Sequence, residues 1–552
     1  SYSKHDMKIL KFLAIAAPML CGFTPTYASV HTLRSKGEVL LIAHDGYRQQ
    51  LPWLISPQTA VDTLATTARE VTLISPVDTL TVSTGAEWDA TDVAVITENG
   101  DTALTRIVRH PADVYSHPDR NTGCLLPGHK LTCKQARFDL DALMNALREI
   151  HPDIYSVTGQ EKLLTRFHQV RESLPDTMTT VEFYKAAAPI VSMIGDGHTM
   201  LRFPYNDLFT SDLQRLPIFV DVKSDRTLKV ATCIDSIVPA GSDVLSINGK
   251  TAGEMIDAML PYVSGERDFF RVMRIDNEFP ALFEMLYGGQ PQYEVKFRRP
   301  GKKKTESTVI PAARFDEIFK RSPKRKNPAP KANYSYSIDQ ERRVAVMDFR
   351  RFHGTPGQMT QFCDSMFADM KARGIDRLII DVRNNGGGNS AIGDVLLRYI
   401  SPVPFTQFAK TLVNRSAKVL RMIGDSDFAP TVKFYQKPAE QYTRPLAPGD
   451  GHFDGTVILL TSNHTFSSAS AFSWAFKHFG CGKVVGEETG GMNVAYGDIL
   501  TWTAPVSGIP CTISWKRFWH PGADEADIHG TIPDIETSAD HALTTALSLL
   551  SR

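Results

Sequence analysis

The spacing of apolar and polar residues divides the chain into blocks of different period. From 29 to about 134, short apolar runs at 39–43, 70–74 and 92–96 are bounded by Gly, Pro and Asp, which predicts strands. From 135 to about 205 the period becomes helical. Leu140, Leu143, Leu147 and Ile150 share one face, and Pro152 stops the run. Thr179 and Glu182 have the spacing of a capping box, which predicts a helix through Ile194. That helix runs into the polar turn Gly195-Asp196-Gly197-His198-Thr199. From 206 to about 312 the pattern returns to strands, and 243–247 leads into an Asn248-Gly249 hairpin turn. Residues 313–334 end in a basic, Pro-rich run that reads as a linker. After 335, apolar runs at 344–349, 377–382 and 456–461 alternate with helical stretches, which predicts an α/β core.

The 552 residues exceed the size of one domain. Lys and Arg number 61 against 61 Asp and Glu, so no bulk field draws the chain to nucleic acid or anionic membrane. The run 321–334 is short and lacks interleaved aromatics, so it reads as a linker rather than a nucleic-acid arm. Lys8 and Lys11 flank an apolar run at 9–23, followed by the small-residue pattern Thr26-Tyr27-Ala28. This predicts a signal peptide over 1–28 and an exported chain, periplasmic or secreted, with no membrane span. Cys124 and Cys133 bracket the turn Pro127-Gly128, where a local disulfide or two free thiols both fit. No CxxC pair or His-rich cluster predicts a structural zinc site.

Three segments carry candidate chemistry. An apolar strand ends at Thr461, a polar turn follows, and Ser467 and Ser468 open a run with Ala469, Phe472, Phe476 and Phe479 at helical spacing. This places a hydroxyl at a helix N-terminus, where free N–H groups hold developing negative charge. A plain serine N-cap has the same pattern. The second segment, Gly386-Gly387-Gly388 after a buried strand, lets backbone N–H groups face a cavity. A flexible turn fits it as well, whereas a phosphate loop is disfavoured because no Gly-Lys-Ser/Thr follows. The third is His198, which sits at a helix end beside glycine and is free to project into a cleft.

Together, "IGDGHT", "LIIDVRNNGGGN", "ILLTSNHTFSSASAF", "VVGEETGG" and the late Gly530-Thr531-Ile532-Pro533-Asp534 resemble the serine peptidases of the C-terminal processing peptidase and tricorn group. The motifs stand in family order over residues 135 to 552. The resemblance implies a multidomain α/β protein. Its parts would be a crotonase-like (ClpP/crotonase) peptidase core over 335–552, a helical segment over 135–205 carrying His198, a PDZ-like module over 206–312 and an N-terminal β-rich domain over 29–134. The PDZ resemblance rests on Pro239-Ala240-Gly241 and 243–250.

The resemblance also implies site roles. Gapless register keeps Phe472 on the family's aromatic position and makes Ser467 the nucleophile, with Ser468 the fallback. The N–H groups of Ser468 and of Gly387 or Gly386 would form the oxyanion hole. The processing-peptidase branch has a lysine in "T-x-G-K", but here the segment reads Thr489-Gly490-Gly491-Met492. The tricorn-like branch uses a histidine, matching His198, although its preceding serine is Gly197 here. That branch also implies an acidic residue before the late motif, Asp527 or, as fallback, Glu525. A Glu common in the family just past the nucleophile is replaced by Ser470 and Ala471. The implied activity is hydrolysis of peptide bonds in exported proteins or peptides through a Ser467 acyl-enzyme, with His198 as base and no metal or organic cofactor. The rival is a weak or inactive member that binds peptide or lipid. The distance between Ser467 and His198 separates the two.

Overall fold

The computed structural model describes residues 31–35, 40–43, 48–50, 61–75, 77–97, 102–110, 130–323, 332–424, 434–437 and 442–550. The expected leader and Cys124 lie outside the described residues. The chain divides into two compact units, 1–113 and 114–552.

Among the described residues, the first unit holds two small sheets. In one, Ala90–Thr97 lies between His31–Ser35 and Thr102–Arg109, and Val61–Thr66 flanks the latter. In the other, Leu40–Ala43 and Glu70–Ile74 are the central strands, between Arg48–Gln50 and Thr79–Ser83. The apolar runs expected as strands are strands, with Leu33, Val71, Leu73 and Val93 fully buried.

The second unit is built around a six-stranded sheet. Its strands lie in chain order: Tyr334–Asp339, Val344–Phe349, Arg377–Asp381, Thr456–Thr461, Lys483–Gly486 and Ile535–Glu536. Only the first pairing is antiparallel. The parallel strands are nearly continuous apolar runs, as sheets covered on both faces require. The helices Pro356–Ala372, Ala391–Ile400 and Ser468–His478 pack Met359, Leu396, Phe472 and Phe476 on one face. The helix Ala542–Leu550 covers the other with Ala542 and Ala546. The carboxyl ends of Arg377–Asp381 and Thr456–Thr461 are neighbours, so the glycine loop and the serine turn leave the sheet side by side.

A second sheet centres on Pro510–Trp519, which pairs with Val494–Thr503, Lys410–Asn414 and the two-residue strand Met200–Leu201. The helix Cys133–Ile150 has the expected apolar face, and Cys133 is a free thiol. Its buried Asp139 accepts the N–H groups of Val506 (2.8 Å) and Ser507 (2.6 Å), tying the helical segment to this sheet. The Thr179–Glu182 capping box forms as the spacing predicts.

Residues 218–311 form an antiparallel sheet in the order Ile218–Val222, Leu228–Cys233, Asp243–Ile247, Gln292–Arg298, Thr305–Pro311. Asn248 and Gly249 both have positive φ, and Ile247 pairs with Lys250, as a two-residue Asn-Gly turn demands. The reading of this block as strands alone is corrected by the helix Asp268–Tyr287. Its buried Phe270, Met273, Phe279, Leu282 and Phe283 keep helical spacing, but the internal Pro280 masks the pattern. The expected linker is also shorter than 313–334. Ala313–Arg314 pairs with Gln214–Arg215, and the helix Phe315–Arg321 buries Ile318 completely.

Candidate active site

The serine turn is tied to the glycine loop before any catalytic contact is made. Thr465 Oγ1 donates to Val382 O (2.9 Å), and Phe466 N–H donates to Asn385 O (3.0 Å). Ser467 then takes φ 54° and ψ −127°. That backbone costs about 1–3 kcal/mol and is the kind of strain a strand-to-helix elbow places on a nucleophile. Ser467 Oγ lies 3.0 Å from His198 Nε2. Ser468 Oγ instead donates to Gly388 O at 2.6 Å. The hydroxyl that meets the histidine is therefore Ser467, and the fallback Ser468 is a structural tie.

The glycine loop packs directly on this elbow. A Cβ on Gly387 would stand 2.7 Å from Ser467 Cβ and 2.8 Å from Ser468 N, and its φ is +98°. Only glycine meets both conditions. The Gly387 N–H, however, donates to Asn385 Oδ1 at 2.9 Å, so this expected oxyanion donor is already committed. Gly386 has open space where its side chain would be. Among the described residues no hydrogen bond uses the Ser468 N–H, the first of the helix.

His198 reaches the elbow because its loop is stitched to the second sheet. Thr512 Oγ1 donates to His198 O (2.9 Å), and Ser514 N–H donates to Thr199 Oγ1 (3.0 Å). The imidazole stacks on Phe466 at 4.5 Å, and Phe466 stacks on Phe270 at 4.4 Å.

The two acids expected from the resemblance make their contacts elsewhere. Asp527 is 80% exposed, and the ion pair it makes is with His529 at 3.8 Å. Glu525 accepts from Trp519 Nε1 (2.8 Å) and pairs with Arg517 (3.2 Å). Neither is brought to His198. The acid beside His198 is Asp196, fully buried, with Oδ1 3.6 Å from His198 Nδ1. Asp196 accepts the His198 N–H (2.8 Å), the Thr199 hydroxyl (2.5 Å) and the Ser514 hydroxyl (2.6 Å). Behind it lies His151, with Nε2 3.3 Å from Asp196 Oδ2. His151 Nδ1 accepts the Asp153 N–H (3.1 Å), which assigns the ring proton to Nε2, facing the carboxylate. Burial alone would raise the Asp196 pKa, but His151 and His198 outweigh it and hold the carboxyl well below its ordinary range.

A second carboxyl enters from the block 206–312. Glu266, just before the helix Asp268–Tyr287, accepts the Gly197 N–H at 3.1 Å. Burial, with repulsion from Asp196, pushes its pKa up to about 7. Arg274 on that helix donates to Gly197 O and Ser264 O, and burial lowers its pKa. A Cβ on Gly197 would lie 2.8 Å from the Phe466 ring, 2.9 Å from Glu266 Oε2 and 2.9 Å from the Phe270 ring. The place of the family serine is thus filled from another block. Asp196 was legible two residues before the histidine. Glu266 and His151 gave no local signal.

The other two departures have structural counterparts. Met492, at the lysine position of the other branch, is 1% exposed. Ser470 Oγ donates to Thr465 O (2.8 Å) and accepts the Gly491 N–H (3.1 Å), bracing the elbow from below.

Residues 343–537 match the model of peptidase family S41. The fold is similar to solved structures of mature CPAF, alone and complexed with lactacystin. Each has TM-score 0.53 and 14% identity, covers 76% of this chain, and spans 96% and 97% of those chains. A search of curated protein sequences finds no match. With its family motifs and a serine at the sheet's carboxyl edge, the chain is a serine peptidase carrying a family S41 domain over residues 343–537.

Proposed function

We propose that the chain cleaves peptide bonds by a Ser467 acyl-enzyme route with His198 as general base. The observation that carries this is the 3.0 Å contact between Ser467 Oγ and His198 Nε2, made while the Ser468 hydroxyl is bonded elsewhere. His198 Nε2 takes the hydroxyl proton as Ser467 Oγ attacks the carbonyl carbon. The imidazolium that forms is stabilised by Asp196, the buried anion nearest Nδ1. The free Ser468 N–H is the oxyanion donor this reading rests on, and Gly386 remains the candidate for a second. His198 then returns its proton to the leaving amine, the C–N bond breaks, and water hydrolyses the ester by the reverse relay.

The leader pattern at 1–28 supports exported proteins or peptides as substrates. The antiparallel sheet of 218–311, with its Asn-Gly hairpin, supports the PDZ-like reading. Its outer strands would take an extended peptide by strand addition.

The test is labelling with a fluorophosphonate probe, followed by casein cleavage. We expect labelling in wild type and Ser468→Ala, and none in Ser467→Ala or His198→Ala. Labelling that survives Ser467→Ala overturns the assignment. Lactacystin, bound in the CPAF neighbour, is a second probe, and it should protect Ser467 from the fluorophosphonate.

A further inference from the structure

Three ligating atoms converge behind the catalytic histidine. A ring nitrogen of His198, an Asp196 carboxylate oxygen and a Glu266 carboxylate oxygen all lie within 4.8 Å of one another, and the nitrogen facing Asp196 Oδ1, at 3.6 Å, is Nδ1. Two atoms in this cluster are unusual. Glu266 Oε2 is buried with no hydrogen-bond partner, and the buried His198 Nδ1 faces only Asp196 Oδ1, at 3.6 Å, beyond hydrogen-bond length. A buried polar atom without a partner costs free energy, and one such atom calls for an explanation. Here the under-bonded atoms belong to two of the three residues in the cluster.

The surroundings have the character of a ligand shell. Asp196 Oδ2 is fixed by the hydroxyls of Thr199 and Ser514, and Glu266 Oε1 is fixed by the Gly197 N–H. Metal-binding carboxylates are oriented by such outer hydrogen bonds. The rings of Phe466 and Phe270 crowd Gly197 beside the cluster. The buried Arg274 guanidinium opposes a cation, and the two carboxylates offset it. One imidazole nitrogen with two carboxylate oxygens is a donor set of borderline hardness. It suits Zn²⁺ in four-coordination, with water in the fourth position. Zinc bond lengths of about 2.0–2.2 Å require the three atoms to close to roughly 3.3 Å apart, within reach of side-chain rotation.

We propose that Asp196, His198 and Glu266 form an inhibitory site for a divalent transition-metal ion, Zn²⁺ in the first instance. A metal on Nδ1 forces the neutral imidazole to carry its proton on Nε2, the atom facing Ser467. Nε2 is then a donor and cannot take the serine proton. The metal blocks the enzyme by fixing the wrong tautomer, without touching Ser467. The inhibitory consequence rests on His198 being the base, but binding does not.

Binding is therefore measured first, on full-length Ser467→Ala protein, which keeps all three ligands. Titration with Co²⁺ should give one equivalent bound, with the visible d–d bands of a four-coordinate site, and Zn²⁺ should displace it. Glu266→Gln and Asp196→Asn, each introduced into Ser467→Ala and checked for a native circular dichroism spectrum, should each weaken the affinity about tenfold or more. In the wild type, Zn²⁺ should abolish hydrolysis at the concentration that fills the site, and chelator should restore it. Absence of stoichiometric binding at metal concentrations up to about 100 µM, a Kd equivalent to about −5.5 kcal/mol, overturns the proposal. So does affinity unchanged by both variants, or Zn²⁺ inhibition with the same midpoint in Glu266→Gln. If metal binds as described but neither form of the enzyme hydrolyses peptide, the base assignment fails and the site stands.

Discussion

The proposed nucleophile and the proposed base come from regions of opposite character. Ser467 stands on the parallel sheet within 343–537, where order follows from short-range rules: buried strand, tight turn, glycine, helix. His198 stands on a loop of 130–323, held in place by hydrogen bonds from Thr512 and Ser514, more than 300 residues later. The first region supplies the strained backbone and the hydroxyl. The second supplies the ionisable cluster of Asp196, His198, His151, Glu266 and Arg274. A nucleophile of this kind can be encoded locally, because strain and helix position create it. A base cannot, because its acidity depends on which carboxylates the tertiary fold places beside it.

The largest effect is expected from exchanging the acid. Asp196→Asn removes the anion nearest His198 Nδ1 and should lower kcat/KM by about 10²–10⁴, the range for losing the acidic member of a triad. Asp527→Asn should change it less than about threefold, since an exposed carboxylate contributes little at a distance. Steady-state kinetics on a peptide substrate decides between them. The reverse ranking would show that the acid comes from the nucleophile's half.

Gly197→Ser restores the residue expected from the tricorn-like resemblance and tests whether the base loop tolerates it. Its Cβ would meet Phe466, Glu266 and Phe270 at 2.8–2.9 Å, so the loop must shift and carry His198 with it. A displacement approaching 1 Å is enough to cost about 10² in rate. We expect a loss of about that size in kcat with KM little changed. Full activity would mean that Glu266 and Phe270 yield freely and do not fix the loop.

These two tests follow the line between what the sequence disclosed and what it hid. The strands at 344–349 and 456–461, the helix after Ser467 and the Asn248-Gly249 hairpin were legible because each is written in a few consecutive residues. The helix Asp268–Tyr287 was hidden by Pro280, which sits where a helix interior ordinarily excludes it. Ser467 and His198 were legible through motif order. The burial of Asp527 was not legible, because spacing to a late motif says nothing about it, and the carboxylate is 80% exposed and paired with His529. Glu266 was invisible because it meets His198 only through the packing of one block on another.

Ser470 separates bracing from chemistry within the nucleophile half. Its hydroxyl links Thr465 O and the Gly491 N–H beneath the elbow. Ser470→Ala removes two hydrogen bonds, but Thr465 O still accepts the Gly490 N–H (2.8 Å) and the Gly491 N–H keeps a long contact to Thr465 O (3.4 Å), so we expect about 0.5–1.5 kcal/mol of destabilisation. Thermal melting should record this as a lower Tm, while fluorophosphonate labelling of Ser467 persists below the melting point. Loss of labelling in a folded Ser470→Ala protein would show that the brace sets the reactive geometry itself.

The smallest effect concerns the one strongly perturbed histidine of the nucleophile half. His520 is buried against Trp474 and Phe408, bonds Gln407 O through Nδ1 at 2.7 Å, and has its pKa pushed down to about 4 by burial. The folded state keeps this ring neutral, while an unfolded chain protonates it near 6.5. The unfolded state therefore binds more protons between those values, so stability is complete above about pH 6.5 and is lost as pH falls toward 4. The slope from this single group is at most about 1.4 kcal/mol per pH unit. His520→Asn keeps a donor for Gln407 O and removes the titration, so its Tm should fall less steeply than that of the wild type between pH 6.5 and 4. Parallel curves would mean that His520 is protonated with little penalty. His520 would then not differ in kind from a histidine that faces a buried carboxylate, as His198 faces Asp196.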